Sequence, residues 1–181
     1  LLGQSKKIGK KELAEKIAIF SEKIAKFKNQ KELLGIEGSA TKTFFQNYFG
    51  EWNWYKRMPR VKPDSINVLM DMGYNFLFNY IDSLLRLYGF DTYRGFYHKL
   101  FFQRKSLSCD IVEPFRCIID RQILKSFNLR QIDIKDFKYI NGKYTLDFEK
   151  NKKYADIFLG AIVDNKAEIF KYVKDFYKCV M

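Results

Sequence analysis

The sequence predicts a mainly α-helical fold: a helical bundle with one small β-hairpin near residues 137–148. Apolar residues recur at helical spacing through most of the chain. The dipeptide Asn141-Gly142 stands between two short alternating segments, a strong local signal for a tight hairpin turn. The composition, 47% hydrophobic and 18% aromatic, excludes a disordered chain. We therefore expect a single helical domain over residues 1–181.

The N-terminal part of the chain predicts two helices followed by a loop. Residues 5–28 carry an apolar stripe opposite a Lys-rich face, which is either solvated or in contact with phosphate. Residues 35–52 predict a second helix, with Glu37 near its start, where a carboxylate suits the helix dipole. The segment 52–65 is a basic loop with two prolines. Its aromatic residues either stack on bases or pack the loop against the bundle: Trp52, Trp54 and Tyr55.

The most hydrophobic segment, residues 68–90, predicts a long core helix. Asp64 or Ser65 is suited to cap its start, and Gly89 to end it. The segment includes Asp71, Asp82 and Arg86, which are costly in a bilayer, so we expect no membrane span.

The remaining elements are a loop, a helix, the hairpin and two further helices. The loop over residues 95–108 carries the only histidine, His98. A helix is predicted to follow, reaching to about residue 127. After the hairpin, the pattern predicts helices over residues 149–163 and 166–177.

The charge balance favours a polyanionic partner. The chain has 33 Lys and Arg against 21 Asp and Glu, a net charge of +12, which suits nucleic acid or an acidic membrane surface. Three cysteines without metal or disulfide spacing argue against a disulfide scaffold.

Two carboxylates in an otherwise apolar helix suggest a charged site. Asp110 and Glu113 share a helical face, and their mutual repulsion predicts that an Arg or a metal ion lies between them. Pro114 belongs near a helix start, so both acids are expected in or beside a first turn. With Glu37 and His98 they form a ligand set suited to Mg²⁺ or Mn²⁺. The alternatives are a packed histidine and a Glu113 that simply pairs with a nearby Arg.

Five motifs occur in order along the chain: EGSA, RMPRVKPDSIN, GYNFL, GFYH and SLSCDIVEPFRCIIDRQI. Together, over roughly residues 35–124, they resemble the helical catalytic domain of the CRISPR-associated endonuclease one family, the spacer integrase. That family begins with a β-rich N-terminal domain that this chain lacks, and the chain starts at Leu1, so we expect a fragment.

The resemblance implies specific roles for individual residues. Glu37, His98 and Asp110 match the ligands of a catalytic Mg²⁺ or Mn²⁺, and Glu113 matches a position that assists them. Asn67 matches a family position at the start of the long helix, where its role is either functional or structural. The expected DNA-binding residues are Arg57, Arg60, Lys99, Arg104, Lys105 and Arg116.

The resemblance also implies a function. The family joins the 3′-hydroxyl ends of foreign DNA to the CRISPR repeat array by metal-dependent transesterification, and with water the same site acts as a nuclease. Its partners are DNA, a second copy of itself and a small second adaptation protein, CRISPR-associated protein two, in the prokaryotic cytoplasm. A transposon-type integrase and a non-catalytic nucleic-acid-binding helical module are the alternatives.

Overall fold

The structure is a computed structural model that describes residues 11–52 and 54–180, without the side chain of Gln30. The chain divides into two compact units, residues 1–58 and 59–181, and each is described by itself. The described residues form seven α-helices and one two-stranded sheet. The predicted mainly α fold with one hairpin is thus confirmed, while the predicted single domain stays a prediction.

The first unit contains two helices, α1 (Lys11–Ile24) and α2 (Gln30–Tyr48). Helix α2 starts five residues before the predicted boundary. The side chain of Asn29 accepts a hydrogen bond from the Glu32 N–H at 3.0 Å, and the Glu32 carboxylate accepts one from the Lys28 N–H at 2.9 Å. This reciprocal cap stabilises a helix start that the predicted range omitted.

Two consequences follow for the predicted second helix. Glu37 lies in the interior of α2 rather than near its start, so the dipole argument made for it is wrong. The α-helix ends at Tyr48, and the last residues of the predicted range form a 3₁₀ turn, Gly50–Trp52.

Aromatic rings dominate the core of the first unit. The Trp54 ring lies 5.5 Å from the Phe45 ring and 6.1 Å from the Phe49 ring, and Trp54 is buried. Trp54 therefore packs the loop against the unit. Tyr55 is 65% exposed, so it does not share that packing role.

The second unit is built around α3 (Ser65–Leu87). Asp64 caps it as predicted: its carboxylate accepts hydrogen bonds from the Asn67 backbone N–H at 2.7 Å and the Asn67 side-chain amide at 2.8 Å. Asn67 is fully buried, which supports its structural role. Among the residues that the structure describes, no helix has the length and hydropathy that a membrane span requires.

The helix predicted to follow the loop 95–108 begins already at Ser106 and is broken in two. Helix α4 (Ser106–Val112) is followed by a 3₁₀ turn, Glu113–Phe115, and then by α5 (Arg116–Asn128). Pro114 has no N–H to donate, which explains the break. Asp110 is the fifth residue of α4, directly after its first turn, and Glu113 begins the 3₁₀ turn, so both acids lie in or beside a first turn as predicted.

The hairpin forms where the Asn-Gly signal predicts it. Strands β1 (Phe137–Ile140) and β2 (Lys143–Leu146) are antiparallel. Asn141 and Gly142 both have positive φ, 51° and 78°, the conformation of a type I′ turn. The Tyr144 N–H donates to the Lys62 carbonyl at 2.9 Å, which attaches the hairpin to the segment before α3.

The last two helices are α6 (Asn151–Asp164) and α7 (Lys166–Val180). They confirm the two predicted helices with small shifts. Helix α6 begins after a 3₁₀ turn, Phe148–Lys150, and α7 extends three residues beyond the predicted end.

Candidate active site

A buried carboxylate organises the turn that carries His98. Asp110 Oδ2 accepts hydrogen bonds from the N–H groups of Phe96 at 2.7 Å and Tyr97 at 3.0 Å. Asp110 Oδ1 accepts one from the His98 N–H at 3.0 Å and also contacts His98 Nδ1. A carboxylate has about four acceptor positions, so these donors occupy the Asp110 side chain, which is 0% exposed.

The electrostatics of Asp110 fix the orientation of the imidazole. Burial opposes ionisation, but hydrogen bonds from the Tyr97 N–H, the His98 ring and the N–H groups of His98 and Phe96 hold the pKa of Asp110 below its ordinary value. An ionised carboxylate only accepts, so the Nδ1 proton of His98 points to it. Nε2 is then the ring nitrogen that remains for a metal, and metal-binding histidines commonly donate their other N–H to a carboxylate.

Gly95 permits this close approach. A Cβ at position 95 would lie 2.5 Å from Asp110 Oδ2 and 2.8 Å from the Ser106 Cβ. Leu107 donates its N–H to the Thr92 carbonyl at 3.0 Å, which joins the start of α4 to the residues before the turn. A side chain at the glycine of the GFYH motif would therefore clash with Asp110 and Ser106, which explains the glycine at this position.

Glu113, the first residue of the 3₁₀ turn, and Arg116, the first residue of α5, form an ion pair. Arg116 Nη2 lies 2.9 Å from Glu113 Oε1, and the two side chains are 45% and 39% exposed. The Arg116 guanidinium also lies over the Tyr74 ring, 5.1 Å from its centroid. The pairing of Glu113 with a nearby Arg, left open by the sequence, is thus present.

Lys105 is engaged within the fold. Its Nζ lies 2.8 Å from Asp82 Oδ2, and the same buried carboxylate accepts hydrogen bonds from Ser108 Oγ at 2.8 Å and Arg86 Nε at 2.9 Å. Burial opposes ionisation of Asp82, but the bonds from Lys105, Ser108 and Arg86 lower its pKa. The geometry therefore favours a structural role for Lys105 over the predicted DNA contact.

The other predicted cations differ in their exposure to solvent. Lys99, Arg104 and Arg60 are exposed, and Arg57 is partly buried. A cleft of about 470 Å³ includes His98 and is lined by Arg94, Gly95, Phe96, Tyr97, His98, Lys99 and Leu100.

The predicted ligands are divided between the two units. Glu37 is exposed on α2 of the first unit, and the other three lie in the second. Within residues 11–52 and 54–180 there is no group of three or more His, Cys, Asp or Glu side chains that could hold a metal ion. The role of Asp82 went unrecognised in the sequence; the signal was an acid retained in the apolar stretch 68–90.

The fold and the site together define the class of the protein. It is a mainly helical protein in which buried Asp110 orients His98, the only histidine of the sequence, beside a cleft lined by Arg94 and Lys99. The sequence model of the family described as CRISPR associated protein Cas1 matches residues 2–159. The chain therefore belongs to the Cas1 family, which confirms the resemblance seen in the sequence.

Curated relatives agree with this assignment. The CRISPR-associated endonuclease Cas1 1 of Thermodesulfovibrio yellowstonii is 33% identical over 109 residues, which cover 58% of this chain and 34% of that protein. The CRISPR-associated endonuclease Cas1 1 of Methanospirillum hungatei is 30% identical over 136 residues, with 72% and 41% covered. The chain thus spans well under half the length of these relatives.

Solved structures show the same fold. A CAS1 protein from Thermotoga maritima superposes with a TM-score of 0.83 at 26% identity, covering 91% of this chain and 57% of that one. A casposase bound to its integration product gives a TM-score of 0.72 at 24% identity, with 80% and 43% covered, which shows the fold alone.

Proposed function

We propose that this chain is the helical catalytic part of a metal-dependent DNA integrase of CRISPR adaptation. In the proposed reaction a 3′-hydroxyl of foreign DNA is joined to a phosphodiester of the repeat array. The observation that carries this proposal is the Asp110–His98 arrangement, in which a buried carboxylate holds Nδ1 and reserves Nε2 for a metal. Family membership and the +12 charge support DNA as the substrate.

The residues present suit a divalent cation. An imidazole oriented by a carboxylate, together with further carboxylates, is a donor set that Mn²⁺ or Mg²⁺ accepts. The sequence favoured Glu37, His98 and Asp110 as ligands, with Glu113 assisting. The occupied acceptor positions of Asp110 support a different division, in which Asp110 positions His98 while Glu113 joins Glu37 and His98 as a ligand.

The ion pair of Glu113 does not oppose this role. Exposed ion pairs contribute about 0–1 kcal/mol, so the Glu113 carboxylate can exchange Arg116 for a cation at little cost. Arg116 would then be available to a phosphate oxygen, which a guanidinium binds well.

The chemistry is an exchange of phosphodiester bonds. The incoming 3′-oxygen forms a bond to phosphorus, the bond from phosphorus to the repeat's own 3′-oxygen breaks, and the proton of the attacking hydroxyl ends on the leaving oxygen or on solvent. A bound divalent ion supplies polarisation of the phosphate and a lowered pKa for the attacking hydroxyl. Within the chain, Arg60, Lys99, Arg104 and Arg116 offset phosphate charge, and Asp110 holds the His98 ring in place.

Partners are part of the same proposal. We propose a homodimer in the longer protein and a small second adaptation protein that joins two such dimers, acting in the prokaryotic cytoplasm. A solved structure described as a partial Cas6-RT-Cas1–Cas2 complex contains a chain similar to this one, with a TM-score of 0.81 at 25% identity over 92% of this chain and 55% of that one. That likeness supports a partner of the Cas2 kind.

The test is a strand-transfer assay on supercoiled DNA carrying a repeat array. A labelled donor oligonucleotide ending in a 3′-hydroxyl is compared with one ending in 3′-deoxyribose, in Mg²⁺, Mn²⁺ or EDTA. We expect covalent joining only with the 3′-hydroxyl and a metal. Equal joining in EDTA, or equal joining of the 3′-deoxy donor, would contradict the proposal. Equal use of plasmids with and without the array would favour a transposon-type integrase.

A non-catalytic nucleic-acid-binding module is the second candidate. The Glu113–Arg116 pair and the saturated Asp110 favour it, because both acids already have partners in the chain. It predicts DNA binding without any effect of Mn²⁺ on stability. A site occupied at 100 times its Kd stabilises the fold by about 2.7 kcal/mol, so a melting temperature unchanged by Mn²⁺ would favour this candidate.

A further inference from the structure

An exposed apolar tip follows His98 directly. Leu100, Phe101 and Phe102 are 76%, 71% and 83% exposed, in three consecutive positions. Scattered apolar residues on a surface need no explanation, but contiguous exposed apolar groups rimmed by polar residues mark interaction sites. We call these three residues the loop tip.

The loop that carries the tip is closed at its base. Ser106 Oγ donates to the Lys99 carbonyl at 3.2 Å, and the Arg104 N–H donates to the Phe101 carbonyl at 3.0 Å. Gln103 adopts a left-handed conformation with φ of 56°, which a residue other than glycine adopts infrequently. The loop therefore has a defined shape that presents its aromatic side chains to solvent.

The surroundings of the loop tip are cationic. Lys99 precedes it and Arg104 follows it, and both side chains are exposed. Arg94 and Lys99 also line the cleft that includes His98, and Leu100 belongs to both the cleft and the tip. Flat apolar faces flanked by cations match the chemistry of single-stranded nucleic acid, in which bases stack on aromatic rings and phosphates pair with cations.

We propose that the loop tip is a base-stacking platform for the single-stranded 3′ end of a DNA substrate. Bases stack on Phe101 and Phe102, Lys99 and Arg104 contact the flanking phosphates, and the strand continues into the cleft at His98. The identity of the ligand as the reacting DNA end rests on the proposed function.

The test is DNA binding measured by fluorescence anisotropy in EDTA, with the whole 181-residue chain. The probes are a duplex with a short 3′ overhang and the same duplex with an abasic overhang, which keeps the phosphates but has no bases. We expect the normal overhang to bind at least about fivefold more tightly, the effect of stacking one base.

Variants separate stacking from general hydrophobicity. The double variant Phe101→Leu with Phe102→Leu keeps an apolar tip but has no aromatic face, and we expect it to bind both probes equally. Phe101→Trp with Phe102→Trp should keep the preference for bases. Phe148→Leu is the matched control, because Phe148 is 86% exposed outside this loop; it should behave as the unmodified chain does.

Two results would overturn the platform. One is equal affinity of the unmodified chain for the two probes; the other is a base preference that survives the double Leu variant, as expected if the tip docks a protein. Because the assay contains no metal and needs no chemistry, its result is independent of strand transfer. Base-dependent binding without any strand transfer would support the platform and contradict only the proposed reaction.

Discussion

Asp110 connects the sequence motif to the chemistry of the site. Its carboxylate accepts from three consecutive backbone N–H groups and contacts the ring of His98. Hydrogen bonds to a charged group contribute about 1.5–3 kcal/mol each, and a buried donor left without a partner costs a similar amount. The same side chain therefore stabilises the turn and sets the ring orientation.

Replacing Asp110 by Asn tests both contributions. The carboxamide nitrogen cannot accept, so at least one of the three backbone N–H groups loses its partner, and the free energy of unfolding at pH 7 should fall by about 1–3 kcal/mol. Urea unfolding measures this change. A loss below about 0.5 kcal/mol would contradict the account.

The pH dependence of stability gives an independent check on Asp110. Its pKa is lowered in the folded chain, so its contribution is present above the unfolded pKa of about 3.9 and is lost as the pH falls through the folded value. Asp110→Asn should therefore lose less stability than the unmodified chain between pH 5 and 2 (a range set by the unfolded pKa of about 3.9). Asp82 and Asp136 keep part of the dependence, because their pKa values are also lowered. Parallel curves for the two proteins would show that Asp110 contributes nothing in this window.

Gly95 and Gly160 form a matched pair. Gly95→Ala places a methyl group 2.5 Å from Asp110 Oδ2 and should destabilise the chain by about 1–3 kcal/mol. Gly160 lies inside α6 with nothing within 4 Å of its added Cβ, so Gly160→Ala should stabilise by up to about 1 kcal/mol. Thermal melting compares them, and equal melting temperatures would mean that the approach at Gly95 imposes no steric constraint.

At the scale of elements, local signals were enough for some predictions. The Asn-Gly turn and the Asp64 cap act within a few residues, and both formed as predicted. The start of α2 also had a local signal that the apolar periodicity did not include: Asn29 accepts from the Glu32 N–H, and the Glu32 carboxylate accepts from the Lys28 N–H.

Other features depend on contacts that span many residues. The pairing of Lys105 with Asp82 joins residues 23 apart, so nothing in the sequence around Lys105 distinguishes it from a DNA-binding lysine. Likewise, the motif predicted Asp110 and Glu113 as a functional pair, but the sequence around them does not predict the bonds that Asp110 accepts from Phe96, Tyr97 and His98.

Helix α7 supports the turn before His98 through aromatic contacts. The Phe176 ring lies 5.3 Å from the Phe90 ring and 6.0 Å from the Phe96 ring, and Phe96 donates its N–H to Asp110. Phe176→Ala should cost about 1–3 kcal/mol, less than a fully buried Phe, and should speed hydrogen exchange of the Phe96, Tyr97 and His98 amides.

The control for this prediction is Lys174→Ala, an exposed position on the same helix. Hydrogen exchange followed by mass spectrometry or NMR measures both variants. If Phe176→Ala leaves exchange at the turn as slow as Lys174→Ala does, α7 has no part in holding the site.

At the scale of the whole molecule, the basic residues behind the net charge of +12 have different roles. Lys99 and Arg104 are exposed, whereas Lys105 neutralises a buried carboxylate. Lys99→Ala and Arg104→Ala should each weaken DNA binding and reduce the slope of log K against log salt by about 1. Lys105→Ala should instead lower stability by about 1.5–3 kcal/mol, the range of one lost hydrogen bond to a charged group, because Arg86 and Ser108 still contact Asp82.

Binding titrations across a range of salt concentrations, paired with urea unfolding, measure both effects. An unchanged salt slope for Lys99→Ala and Arg104→Ala, or an unchanged stability for Lys105→Ala, would show that the cations are assigned to the wrong roles.

The central claim is that His98, oriented by Asp110, belongs to a metal-dependent strand-transfer site. The most direct measurement is the rate of strand transfer by a His98→Ala variant in Mn²⁺, beside the unmodified chain, with circular dichroism to confirm that the variant is folded. We expect the unmodified chain to join a 3′-hydroxyl donor to the repeat plasmid and the folded variant to lose at least about 100-fold in rate, the range of a lost catalytic group. Undiminished, metal-dependent joining by the folded variant would contradict the claim.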